Sequence, residues 1–233
     1  MKVFLFDVDD TLYDQLQPFE TAYRFVFGEA FDLDIHRLYI RSRKHGDDVF
    51  EASERGEMSM DDMHVYRISM AFKDFDIDIT REDALLFQKK YAQAQGHIYL
   101  SDVTKAFLTK LKERGQCLGV ITNGPGPHQR GKIKTLGLER WISPEHAYIS
   151  GELAVMKPDA RIFKHAVRDL KAEELDIFFI GDSYENDIVG AKGAGLKTVW
   201  MNRRNHRIPE GGVTPDHEVH TEEQLGELLL SLV

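Results

Sequence analysis

Val3-Phe4-Leu5-Phe6-Asp7-Val8-Asp9-Asp10-Thr11 decides the fold, because an unbroken apolar run meets two carboxylates spaced two residues apart. A short apolar run of this kind reads as a buried strand. Side chains at i and i+2 of a strand point the same way, so Asp7 and Asp9 face one small site. Folding alone does not require negative charge concentrated at the end of a core strand, and a chemical use explains it better. The arrangement suits a nucleophile beside a proton carrier. The alternative is a chance surface turn, where Asp and Thr bond local backbone.

Three stretches downstream speak against chance. Cys117-Leu118-Gly119-Val120-Ile121 leads into Thr122-Asn123-Gly124, a strand breaking at a hydroxyl residue and a turn. A Thr hydroxyl and free turn amides make a phosphate cradle, with Gly124 permitting close approach, although the same words also spell an ordinary turn. Met156-Lys157-Pro158-Asp159 opens a helix through Leu170, with Ile162, Phe163, Ala166, Val167 and Leu170 at helical spacing. Pro158 fits the first helical position, which puts Lys157 at the positive end of the helix dipole. Phe178-Phe179-Ile180-Gly181-Asp182 is another apolar run ending in an acid, followed by Ser183 to Asp187 and a helix ending near Gly193 to Gly195. Its oxygens suit Mg²⁺, while Asp182 or Ser183 would equally suit a helix cap.

Strand-like runs at residues 3–7, 117–122, 147–150, 177–181 and 197–201 alternate with helical patterns, which predicts an α/β fold with a doubly wound parallel sheet. Ser101 to Arg114 reads as one such helix, closed by Gly115. Between about Gln15 and Gln95 the apolar spacing is helical instead: Phe19, Tyr23, Val26 and Phe27; Met60, Met63, Tyr66 and Met70; Ala84, Phe87, Tyr91 and Ala94. Ser59 and Thr80 read as helix starts, and Thr221 with Gln224 as a capping box for a final helix.

As a set, these stretches resemble the haloacid dehalogenase superfamily of phosphohydrolases. Its four motifs stand in order as Asp7-x-Asp9-x-Thr11, Thr122, Lys157 and Gly181-Asp182-x-x-x-x-Asp187, and the resemblance runs from Phe4 to about Thr198. The wording Ile121-Thr122-Asn123-Gly124 and Lys157-Pro158-Asp159-x-Arg161-Ile162-Phe163 is closest to the nucleoside 5′-monophosphate phosphatase branch. The resemblance implies a Rossmann-like catalytic core, residues 1–14 and 96–233, with an inserted all-helical cap over residues 15–95. It implies a Mg²⁺-dependent phosphomonoesterase for small phosphorylated metabolites, nucleoside 5′-monophosphates first among them.

In that scheme Asp7 is nucleophile and metal ligand. Asp9 offers the metal its backbone carbonyl and keeps its carboxyl as general acid, then base. Thr122, Asn123 and Lys157 bind phosphate, Asp182 ligates the metal, and Asp187 and Asn186 order metal-bound water or Lys157. Four carboxylates facing one lysine would repel a phosphate dianion, so no activity is expected without a divalent cation. Asp10 reads as a local hydrogen-bonding residue, Thr11 as loop support and His128 as incidental, with Pro125 and Pro127 stiffening the loop after Asn123. For substrate choice the candidates are Tyr13, Phe19 and Tyr23 stacking on a base, and Arg41, Arg43, Lys44 or His45 meeting a distal anion.

A sugar phosphatase or a phosphomutase shares this chemistry. Dehalogenases of the superfamily lack an Asp at the position of Asp9, which counts against them. A non-enzymatic phospho-aspartate switch is the reading from another class. With 233 residues, 42% of them apolar, the chain can fill a core and a smaller second one. A net charge of −9 argues against a nucleic acid polymer as partner. The lone Cys117 excludes an internal disulfide, and no apolar run reaches membrane length, so a cytoplasmic monomer or homodimer with no membrane partner is expected.

Overall fold

The computed structural model describes residues 1–233, apart from the side chain of Glu54. Six strands form one sheet: β1 (Val3–Phe6), β2 (Cys117–Thr122), β3 (Ala147–Ile149), β4 (Ile177–Gly181), β5 (Lys197–Met201) and β6 (His217–Val219). Their spatial order is β3-β2-β1-β4-β5-β6, and every neighbouring pair is parallel. The winding reverses at β1, so the carboxyl ends of β1, β2 and β4 surround a topological switch point, where open α/β sheets place their ligands.

The apolar runs are continuous because both sheet faces are covered. Phe4, Phe6, Leu118, Val120, Phe178 and Ile180 point into one core with Phe107, Leu108, Leu225 and Leu229. Val3, Leu5, Ile121, Ile177 and Phe179 point into the other, with Ile162, Phe163 and Ala166. Helix Asp102–Glu113 starts on Ser101, whose side chain accepts from the Thr104 N–H, and gives way to Gly115 at φ +70°. The last helix, Glu222–Ser231, is capped by Thr221, and Gln224 reaches back to the His220 N–H at 2.7 Å.

The chain divides into two compact units, residues 1–14 with 98–233, and residues 15–97. The second unit contains helices Leu16–Val26, Ile35–Glu54, Met60–Lys73 and Arg81–Gln95. Asp34, Ser59 and Thr80 cap three of them with side-chain oxygens. Phe19 sits at the centre of this unit, edge-on to Tyr39, Phe87 and Tyr91 with ring centroids 5.0–5.9 Å away. No helix among the described residues is long and apolar enough to cross a membrane.

Three local expectations change. The helix after Lys157 begins at Ala160, because Asp159 accepts the Arg161 N–H and takes the cap position. Pro158 therefore lies outside the helix and does not take its first position, and Lys157 precedes the cap by two residues. Gly126–Thr135 is helical, so Pro125 and Pro127 flank a helix start and do not stiffen a loop. Beyond β4 the chain makes a π-helical turn, Tyr184–Val189, before the short helix Gly190–Gly193.

Candidate active site

Asp7 follows β1 directly and stays tied to the sheet, its N–H donating to the Ile180 carbonyl at 2.8 Å. Its Oδ1 accepts from Lys157 Nζ at 2.7 Å, and the same ammonium donates to Asp187 Oδ1 at 2.6 Å. All three side chains are buried. Burial pushes the Asp7 carboxyl up to about 6; Lys157 pulls it down, and Asp187 and Asp9 push it further up. Burial also works against the Lys157 ammonium, yet Asp187 and Asp7 outweigh it and hold its pKa above the ordinary lysine value.

Lys157 is positioned through its main chain. The Asn123 amide donates to the Lys157 carbonyl at 2.9 Å, and Asn123 Oδ1 accepts the Lys157 N–H at 2.9 Å. The Asn123 side chain is thus engaged on the Lys157 main chain in both directions. Gly124, at φ +136°, donates its N–H to Ser150 Oγ at 2.9 Å and is not a free cradle amide. Thr122 closes β2, buried beside this turn.

Asp187 owes its place to the π turn. Ser183 caps that turn, and its N–H donates to Asp187 Oδ2 at 2.9 Å. Gly181 makes room, since a Cβ there would overlap the Asp187 carboxylate. Asn186 lies half-buried in the same turn. Asp182 follows β4, and its carbonyl accepts from the Trp200 indole N–H at 2.8 Å. One carboxylate oxygen each from Asp7, Asp182 and Asp187 come within 4.8 Å of one another. Converging hard oxygens, one of them on a carboxyl whose charge burial opposes, fit a small divalent cation such as Mg²⁺.

Asp9 is held apart from that knot. Lys132 Nζ lies 2.7 Å from both of its carboxylate oxygens, the Tyr13 hydroxyl donates to Oδ1, and Gln129 Nε2 donates to Oδ2 at 3.3 Å. Lys132 and Gln129 were not foreseen, and the expectation of a single lysine against four carboxylates is corrected: two buried ammoniums stand there. A signal existed in their three-residue spacing on one turn of a helix that begins just after Gly124.

The loop after Asp9 is fastened from afar. Asp10 adopts φ +55° and accepts from Arg204 at 2.8 Å, while Arg203 donates to the Asp10 and Thr11 carbonyls at 3.0 and 3.2 Å. Asp10 thus also takes partners from far along the chain. Thr11 is buried in this loop and His128 is exposed. Tyr13, Phe19 and Tyr23 are each about 2% exposed and packed in their units' cores, which removes them as groups for stacking on a base. Arg41 and His45 both bind Asp74, at 2.5 and 2.7 Å, as an internal brace. Lys44 is exposed and Arg43 half-buried.

The profile of the haloacid dehalogenase-like hydrolases matches residues 1–195. The chain belongs to that family. The glyceraldehyde 3-phosphate phosphatase of Pyrococcus abyssi is 32% identical over 210 residues, covering 86% of this chain and 81% of that protein. The pyrimidine 5′-nucleotidase YjjG of Escherichia coli is 33% identical over 113 residues, 48% of this chain and 49% of that one. Among solved structures, YfnB of Bacillus subtilis bound to magnesium superposes with a TM-score of 0.71 at 25% identity, over 98% of each chain.

Proposed function

We propose that the protein is a Mg²⁺-dependent phosphatase that hydrolyses small phosphomonoesters through an aspartyl-phosphate on Asp7. The enzyme class, phosphoric monoester hydrolase, follows from the family and from relatives named as phosphatases. The observation that carries the mechanism is the pairing of Asp7 with a buried Lys157 beside Asp182 and Asp187, while Asp9 keeps its carboxyl outside that knot.

In this reading Asp7 attacks phosphorus in line, and the bond from phosphorus to the leaving oxygen breaks as the Asp7–phosphorus bond forms. Asp9 gives its proton to the leaving oxygen. A water then attacks the phosphoryl group, loses a proton to Asp9 and returns Asp7 free. Lys157 and Thr122 meet the phosphoryl oxygens, and Asn123 acts by holding Lys157 in place. Asp7, Asp182 and Asp187 are the carboxylates that would hold Mg²⁺, which when bound supplies the positive charge a dianion needs in this acidic pocket. The solved structure of YfnB is bound to magnesium, which supports Mg²⁺ as the cation. The helical unit of residues 15–97 takes the part of cap and substrate selector.

Two substrate classes have support. Nucleoside 5′-monophosphates rest on the YjjG match, and small sugar or triose phosphates on the longer match to the Pyrococcus enzyme and on the burial of the three aromatics expected to stack on a base. The test is release of free phosphate from a panel of both classes, with and without Mg²⁺, for wild type and Asp7→Asn. Turnover should need both Asp7 and the metal. Wild-type rates in Asp7→Asn would end the covalent reading, and phosphate passed to a second sugar without release would make the protein a mutase.

A further inference from the structure

A lysine only 5% exposed needs a counter-charge, because an unpaired buried ammonium is strongly disfavoured. Lys132 has it in Asp9 at the stages where that carboxyl is ionised, 2.7 Å away at both oxygens. One helical turn earlier Gln129, also buried, donates from a single amide nitrogen to Asp9 Oδ2 and to the Asn123 carbonyl, at 3.3 and 2.8 Å. Gly124 clears the space for that amide, since a Cβ there would come within 2.9 Å of Gln129 Nε2. Tyr13 completes the set from the other side of the chain, its hydroxyl on Oδ1 and its ring packed in the core. A carboxyl on a loop has several staggered orientations available; donors from two separate elements select one.

We propose that Lys132, with Gln129 and Tyr13, is the positioning set for Asp9 and determines where its carboxyl points relative to the leaving oxygen. This rests on the reading of Asp9 as acid and base. Lys132 acts through Asp9 and has no part in holding the metal or the phosphoryl group. A misdirected Asp9 matters most where the departing oxygen needs the proton most. As the bond from phosphorus to that oxygen breaks, an alkoxide or phenolate requires the Asp9 proton, whereas a nitrophenolate leaves without it.

The experiment measures kcat/KM for phenyl phosphate and p-nitrophenyl phosphate with wild type, Lys132→Ala, Lys132→Arg, Tyr13→Phe and Asp9→Asn, with circular dichroism on each variant. Lys132→Ala should lose about 100-fold or more with phenyl phosphate and less than about 10-fold with p-nitrophenyl phosphate, the size expected for general acid catalysis. It should also show a burst of nitrophenolate, because the first half-reaction proceeds while the water step waits on Asp9. Lys132→Arg should recover much of the loss. Tyr13→Phe keeps the ring packing, so should Lys132→Ala fail to fold, it carries the test with the same pattern at about 3- to 10-fold. Equal losses with both esters in the folded Lys132 or Tyr13 variants, while Asp9→Asn discriminates between them, would overturn the positioning role. No discrimination in Asp9→Asn itself would overturn the acid role of Asp9, and the positioning proposal with it.

Discussion

Replacing Lys157 by Met removes one charge while keeping most of the side chain's volume, and the structure allows the cost to be estimated. Two nearly buried carboxylates lose their shared ammonium, at 2.7 and 2.6 Å. Asp7 has an escape: with burial already holding its pKa up at about 6, it can take a proton at pH 7 at a cost on the order of 1 kcal/mol. Asp187 keeps only the Ser183 N–H, and a buried pair broken on one side costs about 3 kcal/mol at the low end. The expected loss is about 4 kcal/mol, less than two independent broken pairs would give. Urea unfolding in chelator at pH 7 measures it. Both tryptophans, Trp141 and Trp200, lie in the sheet unit, so their fluorescence reports that unit alone. The double variant Lys157→Met/Asp187→Asn should regain at least half of the loss. A single variant within about 1 kcal/mol of wild type, or a double variant no better than the single, would refute the electrostatic argument.

Gly181→Ala should destabilise the sheet unit by about 1–3 kcal/mol through overpacking against Asp187, read by the same fluorescence. Asn123→Ala removes two hydrogen bonds to the Lys157 main chain, and kcat should fall more than substrate affinity; an unchanged kcat would show that Lys157 holds its place without the clamp. Arg41 foremost, and His45 with it, hold the Asp74 carboxyl at about 2 against 3.8 in the unfolded chain. Because the folded pKa is depressed, that brace contributes fully above pH 3.8 and is lost as pH falls toward 2. Asp74→Asn should flatten the acid limb of thermal unfolding followed by circular dichroism, and an unaltered limb would contradict the pairing.

The sheet was legible because β1 to β5 are almost wholly buried and therefore written as apolar runs. β6 escaped notice because three residues, His217–Val219, at a sheet edge carry little pattern. Ile35–Glu54 is polar around most of its circumference, which hid its 20-residue length, although Asp34 caps it in the ordinary way. The acids of the site stood at strand ends and could be read there. Their partners could not: Lys132 and Asp9 are 123 residues apart, and no local rule says which buried lysine meets which carboxylate. Tyr13, Phe19 and Tyr23 failed as base-stacking groups for a related reason, since an aromatic residue's type does not reveal whether its ring faces a ligand or a core.

The route of the chain also sets a timetable for synthesis. β1 lies between β2 and β4, yet its first pairing, Val3 with Cys117, awaits more than a hundred further residues. At ribosomal speeds of about 5–20 residues per second, that is a delay of roughly 6–23 s during which Val3-Phe4-Leu5-Phe6 has no neighbouring strand. The helical insertion emerges meanwhile and makes contacts local enough to form quickly. An apolar strand therefore waits unpaired while the insertion, whose contacts are local, completes its own fold, so β1 is most exposed to wrong pairing in the interval before β2 is made.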